Sequence, residues 1–219
     1  MDIDAIIKEA LEVLKSGGLI LYPTDTVWGI GCDACNEAAV HKVFALKRRS
    51  GAKSLVLLAS DLDMVGRYVR KFPPMAADLV EVNDAPMTIV YPGAMVADLP
   101  RPSAFGLAPS VVAEDGSVGI RIPRAVAARE DDRPVSAGAV FCNRLIYKFR
   151  RPIVSTSANI SGDEAPSCFA DISEKIRSGV DYVVPETVSG LGRFDDDATG
   201  RPSQIIKLGL DGEVEIIRP

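Results

Sequence analysis

Helical and strand signals alternate along this chain without a strict repeat, which predicts an α/β fold on a twisted, mixed parallel and antiparallel sheet with flanking helices. Short apolar runs of strand length recur at 19–22, 55–59, 87–91 and 118–122, separated by segments of helical periodicity. Hydrophobic residues make up 47% of the 219 residues, enough for one large core, so a single domain over 1–219 is expected. No run approaches the roughly 18 apolar residues of a membrane span, so no membrane contact is expected.

Each element has a local reason. Ile3, Ile6, Ile7, Ala10, Leu11 and Leu14 recur at helical spacing, and Gly17-Gly18 stops that helix. Residues 19–22 form a strand ended by Pro23. Asn36 caps a helix carrying Val40, Val43, Phe44 and Leu46, which runs out into Lys47-Arg48-Arg49. After strand 55–59, Asp61 caps a helix, and another follows Pro73-Pro74. Strands 87–91 and 118–122 each end at a proline. A helix over 135–149 leads to Ile153-Val154, which enter a serine cluster. Residues 169–177 read as a helix stopped by Gly179, and 182–184 as a strand. Strands 203–208 and 214–217 close the chain as a hairpin around Asp211-Gly212. Residues 94–117 and 189–201 mix Pro, Gly and charge over more positions than ordinary connections use, as lids and binding loops do.

Composition removes several functions. The net charge of −5 repels phosphate, which excludes non-specific coating of nucleic acid but leaves room for a local basic groove. Met1-Asp2-Ile3-Asp4 opens an amphipathic helix rather than a secretory signal, so a cytoplasmic protein is expected. Four cysteines are too few for a disulfide scaffold. Cys32-Asp33-Ala34-Cys35 spells C-x-x-C, but Cys142 and Cys168 stand apart and His41 is the sole histidine, so buried free thiols fit better than a metal site. No protein metal site is assigned. His41 reads as a partly buried helix residue rather than a base. Gly51-Ala52-Lys53-Ser54 lacks the second glycine of a P-loop, and Gly29-Ile30-Gly31 does not continue in the Rossmann manner. Asp195-Asp196-Asp197 reads as a metal-ligating loop or a solvated acidic turn, and its charge run favours the turn.

What remains is hydroxyls, arginines and lysines. Residues 22–31 and 155–162 each pass from an apolar run into hydroxyls, a turn-forming Asp or Asn, and glycine. Strand ends of that chemistry offer small donors and bare backbone N–H groups to an anion. Lys47 and Arg49 leave a helix C-terminus with Lys53 behind them, and Arg121 and Arg124 flank Pro123 at a strand end. A guanidinium fork and a mobile ammonium suit phosphate or carboxylate oxygens. These pieces together would suit a nucleoside triphosphate and a small polar acid.

The same residues resemble the YrdC/TsaC family, the threonylcarbamoyl-AMP synthases. Residues 22–34 (YPTDTVWGIGCDA) are similar to its signature, Lys47-Arg48-Arg49 to its K-x-R element, and Pro86-Met87-Thr88 to its P-L-T strand. Gly119-Ile120-Arg121-Ile122-Pro123 resembles its V-R-x-P element, residues 155–162 (STSANISG) its S-x-S-A-N-x-S-G turn, and Pro202-Ser203 its late P-S-T. Departures are Asn83-Asp84-Ala85-Pro86 for W-P-G-P, Ser54 for a proline, Gln204 for a threonine, and Trp28 where tyrosine is commoner. The chain ends soon after these motifs, as the short form of the family does.

The resemblance implies an α/β twisted sheet with a concave basic face. It also implies a reaction in which L-threonine, bicarbonate and ATP give threonylcarbamoyl-adenylate and pyrophosphate, the first step toward N6-threonylcarbamoyladenosine at position 37 of tRNA. On it, Lys47 and Arg49 are catalytic and hold ATP phosphates, while Ser155, Ser157, Asn159 and Ser203 line the nucleotide site. Thr24 and Thr88 contact threonine, and Arg121 holds a phosphate or the substrate carboxylate. Mg²⁺ accompanies ATP, and the product passes to the tRNA threonylcarbamoyl transferase complex. The alternative is a paralogue binding double-stranded RNA or tRNA, with Lys47, Arg49 and Arg121 on backbone phosphates and no adenylate chemistry.

Overall fold

In the computed structural model, residues 2–49, 55–97, 106–124 and 135–219 are described. Gly51, Ala52, Lys53, Ser54 and part of the 94–117 loop therefore lie outside the described residues. Helix α1 (Ile3–Lys15) turns the opening periodicity into one buried face, Ile3, Ile6, Ile7, Ala10 and Leu14, and Gly17 ends it at φ 77°. That face packs on α5 (Ala137–Phe149) and on β1 (Ile20–Tyr22). Asn36 caps α2 (Glu37–Lys47) by accepting from Ala39 N at 3.1 Å. Asp61 caps α3 (Leu62–Gly66) by accepting from Met64 N at 2.7 Å. The cap chemistry read from the sequence is what the chain uses. His41, however, is exposed, its side chain 62% accessible, because it faces away from Val40 and Val43 on α2.

The remaining elements are β2 (Gly29–Gly31), β3 (Val56–Leu58), α4 (Met75–Val82), β4 (Met87–Tyr91), β5 (Val118–Arg121), β6 (Ile153–Ser157), α6 (Glu174–Arg177), β7 (Tyr182–Val183), β8 (Thr187–Val188), β9 (Gly192–Arg193), β10 (Gln204–Leu208) and β11 (Val214–Arg218). The main sheet runs β11-β10-β4-β5-β3-β6-β2-β1-β7, and β8-β9 form a separate ribbon. Pairs β1–β7, β3–β5 and β4–β10 are parallel and the other pairs of the main sheet antiparallel, the mixed sheet that was expected. The closing hairpin β10–β11 turns through Gly212 at φ 93° and carries a bulge opposite Ile205/Ile206.

Two readings are corrected. Residues 29–31 looked like part of a turn, since glycine has little strand propensity. They form β2 by pairing with β1 and β6, and the Tyr22 ring lying across them requires glycine: a Cβ on Gly31 would stand 2.7 Å from it. Residues 169–177 are not one helix but a 3₁₀ turn at Phe169–Asp171 and the single turn α6. The break falls at Ile172, buried at ψ 122°, where backbone extension carries its side chain into the core.

All four cysteines are free; Cys32 and Cys142 are buried and Cys35 and Cys168 partly so. Burial, aided by Asp33, pushes the Cys35 thiol up to about 12 and Cys32 higher still. Thiols held protonated in this way are poor nucleophiles. No helix among the described residues is long and apolar enough to cross a membrane.

Candidate active site

The C-terminus of α2 meets the end of β6. Lys47 is only 2% exposed, and its Nζ donates to Ser157 O, to Asn159 O at 2.6 Å and to Asn159 Oδ1 at 3.4 Å. The contact is returned by Ser161 N, which donates to Lys47 O at 2.9 Å. Ser157 Oγ donates to Asn159 Oδ1, and Asn159 Nδ2 to Asp163 O at 2.7 Å, so the turn is stitched internally. Burial pushes the Lys47 ammonium down to about 8, with the neighbouring Arg49 charge a smaller cause. Arg48 is left-handed at φ 51°, which turns the chain so that Arg49 reaches Thr156 Oγ1 at 3.5 Å. Ser155 lies beside the buried Tyr22, whose hydroxyl donates to Val154 O at 3.3 Å.

The β1–β2 connection is the second half. Thr24 Oγ1 donates to Val27 O at 2.8 Å, lies 2.7 Å from Thr26 Oγ1 and accepts from Thr26 N at 3.0 Å. A hydroxyl so placed shapes its own turn. Asp25, next in line, pairs with Arg121, and Arg121 Nη2 donates to Thr26 Oγ1 at 3.4 Å. β5 and β1 are separated by β3, β6 and β2, ~19 Å on a flat sheet at ordinary strand spacing. One arginine cannot span that. Asp25 lies beyond the end of β1, in the 23–28 connection, and that connection carries it across to Arg121.

Thr88 stands opposite Arg121 in the β4–β5 register, and its Oγ1 lies 2.8 Å from Ser203 Oγ. Arg218, which no motif announced, donates through Nε at 2.9 Å and Nη2 at 2.6 Å to Ser203 O. Burial, then the Arg121 charge, lowers its pKa. The structure thus gathers Asp25 and Thr26 of the Thr24 turn with Arg121, Thr88 with Ser203, and Lys47 with Ser157 and Asn159. Ser155 is set into the fold beside them. A cavity of about 530 Å³ opens on the Thr88 side of β4–β5, lined also by Val90, Gly119, Ile205 and Lys207. Another of about 410 Å³ opens on the opposite side, against Met87, Ile89, Tyr91 and Ile120.

The acidic run is the exposed turn that its charge favoured, at Asp196 and Asp197, but it is also tied to the fold. Asp195 Oδ1 accepts from Trp28 Nε1 at 2.7 Å, and Asp197 Oδ2 accepts from Ala137 N at 2.8 Å. Only the charge count was visible in sequence; the partners come from segments 167 and 60 residues away. No group of three or more His, Cys, Asp or Glu among the described residues is placed to hold a metal.

Gly138 completes the frame. A Cβ there would stand 2.3 Å from Thr24 O, so glycine lets the first turn of α5 lie against the Thr24 backbone. Gly138→Ala is expected to cost about 1–3 kcal/mol in urea denaturation through overpacking and to displace the turn. An alanine variant with parental stability and turnover would contradict this close approach.

Two cationic groups buried against hydroxyl-rich turns, with Asp25 as the counter-charge on one side, suit an anionic substrate carried by backbone and side-chain donors. Comparisons agree. A family model for Sua5/YciO/YrdC proteins, described as telomere recombination, matches residues 12–219. A threonylcarbamoyl-AMP synthase of Hahella chejuensis is 31% identical over 197 residues, covering 89% of this chain and 95% of that protein. The one of Stenotrophomonas maltophilia is 31% identical, covering 84% and 88%. Among solved structures, P. abyssi Sua5 complexed with L-threonine aligns with a TM-score of 0.69 at 24% identity, covering 92% of this chain. This chain spans about half of that longer protein, 50%. E. coli YciO aligns at 0.66 and 21% identity, covering 98% and 88%, a likeness of fold. The chain belongs to the Sua5/YciO/YrdC family.

Proposed function

We propose that this protein is a threonylcarbamoyl-AMP synthase, supplying the first intermediate of tRNA N6-threonylcarbamoyladenosine. The carrying observation is the buried Lys47, an ammonium held against the Ser157–Asn159 turn beside Arg49. Relatives named for this activity support the reading.

The reaction balances in two steps. The threonine amine attacks the carbon of bicarbonate, water departs, and a carbamate forms. A carbamate oxygen then attacks the α-phosphorus of ATP, the bond to the β-phosphate oxygen breaks, and pyrophosphate leaves with that electron pair. Positioning and charge stabilisation account for such phosphorus chemistry. Lys47 and Arg49 hold the phosphates, with a phosphate oxygen taking over one of the three oxygens Lys47 now contacts. Ser157, Asn159 and Ser203 line the nucleotide, with Ser155 beneath. Thr24 and Thr88 border the amino acid, and Arg121 keeps N–H groups beyond those given to Asp25 and Thr26 for its carboxylate. Mg²⁺ would accompany ATP and offset the charge of its phosphates, with the hydroxyl and amide oxygens of Ser157 and Asn159 the protein groups near them. The product would pass to the transferase complex that acts on tRNA.

The test is isotopic. With ¹³C-bicarbonate, threonine, Mg²⁺ and ATP, the adenylate recovered by mass spectrometry is expected to carry one heavy carbon. An adenylate without it, or none, would sink the carbamate route.

A further inference from the structure

The segment from Phe194 to Ser203 touches Trp28, the start of α5, the backbone of Asp25 and Thr26, and Thr88. Asp195 holds Trp28 Nε1 at 2.7 Å and Phe169 N at 3.2 Å. Asp197 holds Ala137 N, at the N-terminus of α5, at 2.8 Å. Thr199 N donates to Asp25 O at 3.0 Å and Gly200 N to Thr26 O at 2.9 Å, so this stretch runs alongside the Thr24 turn. Ser203 then reaches Thr88 at 2.8 Å. The turn is gripped at its far end through Trp28, along its backbone through residues 199–200, and from beneath by Gly138 of α5.

From these contacts we infer that the Phe194–Ser203 segment is a strap that sets the geometry of the threonine subsite, with Asp197 as a positioning residue. Asp197 acts through α5: its carboxylate joins Ser136 Oγ, which accepts from Ala139 N at 3.0 Å, in satisfying the first N–H groups of the helix. A well-fixed helix start places Gly138 against Thr24 O, and that backbone carries Asp25 to Arg121. Lys47 and Arg49 lie on the other half of the site, bonded to β6 and the turn that follows it, so Asp197 bears on the threonine side, while Ser203 at the far end of the strap also borders the nucleotide. The inference rests on the assignment of threonine to the Thr24 turn.

Trp28 is the chain's single tryptophan and stands in this turn, so its fluorescence reports threonine binding without turnover. L-threonine titrations of the full chain would compare the parent with Asp197→Ala, Asp197→Asn and Thr24→Val, and ATP affinity would be measured by equilibrium dialysis. Asp197→Ala is expected to weaken threonine about tenfold and leave ATP within about twofold, while Asp197→Asn, whose amide oxygen still accepts from Ala137 N, restores threonine binding to within about threefold. Parental threonine binding by Asp197→Ala, equal loss of both ligands, or failure of the asparagine variant to recover would overturn the strap. Thr24→Val separates the two ideas. If it binds threonine normally, the subsite assignment fails; if it binds poorly while Asp197→Ala does not, only the strap fails.

Discussion

Replacing Lys47 with alanine is expected to lower kcat/KM for ATP on the order of 10²–10³-fold, the usual consequence of removing one preorganised charge from a phosphoryl site. Circular dichroism should show the fold retained, since the Ser157–Asn159 turn keeps Ser161 N on the residue-47 carbonyl. The same side chain gives a pH signature. Burial has pushed its pKa from 10.5 to about 8, so in the free enzyme Lys47 is charged below that value and neutral above it. kcat/KM for ATP should therefore fall about tenfold per pH unit above the shifted value, as expected when the protonated form is required. Stability should move the other way. Between pH 8 and 10.5 the unfolded lysine binds a proton that the folded one lacks, so this group's contribution to stability rises across that interval. A flat kcat/KM profile across pH 7–10 would remove Lys47 from the phosphate site.

The second large effect lies at the Asp25–Arg121 pair, whose side chains are 12% and 4% exposed. Asp25→Ala leaves a buried guanidinium without its counter-charge and should cost about 3–5 kcal/mol in urea denaturation. Adding Arg121→Met should return most of that stability, because an apolar replacement of a buried pair is often neutral or better. It should not return activity, since Arg121 is assigned to the substrate carboxylate. Stability of Asp25→Ala within about 1 kcal/mol of the parent would mean that the pair is solvated and worth little.

The sequence carried most of the frame because local chemistry decided it. Asn36 and Asp61 cap the helices they precede, and the apolar runs at 87–91 and 118–122 pair as strands. Site residues inside quoted motifs, Thr24, Lys47, Thr88, Arg121, Ser157, Asn159 and Ser203, converge as clusters. Contacts that depend on tertiary placement were not legible. β2 is built on glycines that pair between β1 and β6 under the Tyr22 ring, which no propensity scale rewards. Arg218 is the next-to-last residue and reaches Ser203 only because β11 pairs beside β10. Asp195 and Asp197 looked like solvated charge, and their partners Trp28 and Ala137 are distant in sequence. Thr24 was read as a ligand contact, whereas its hydroxyl is first a turn former.

The most direct test of the whole account is pyrophosphate release from ATP and Mg²⁺ with no RNA present, omitting threonine and bicarbonate in turn. The account predicts release only when both are supplied, and near-complete loss of that signal in Lys47→Ala. No threonine-dependent release, together with RNA binding that weakens steeply as salt rises, would contradict it and make this protein a nucleic-acid binder on the same fold.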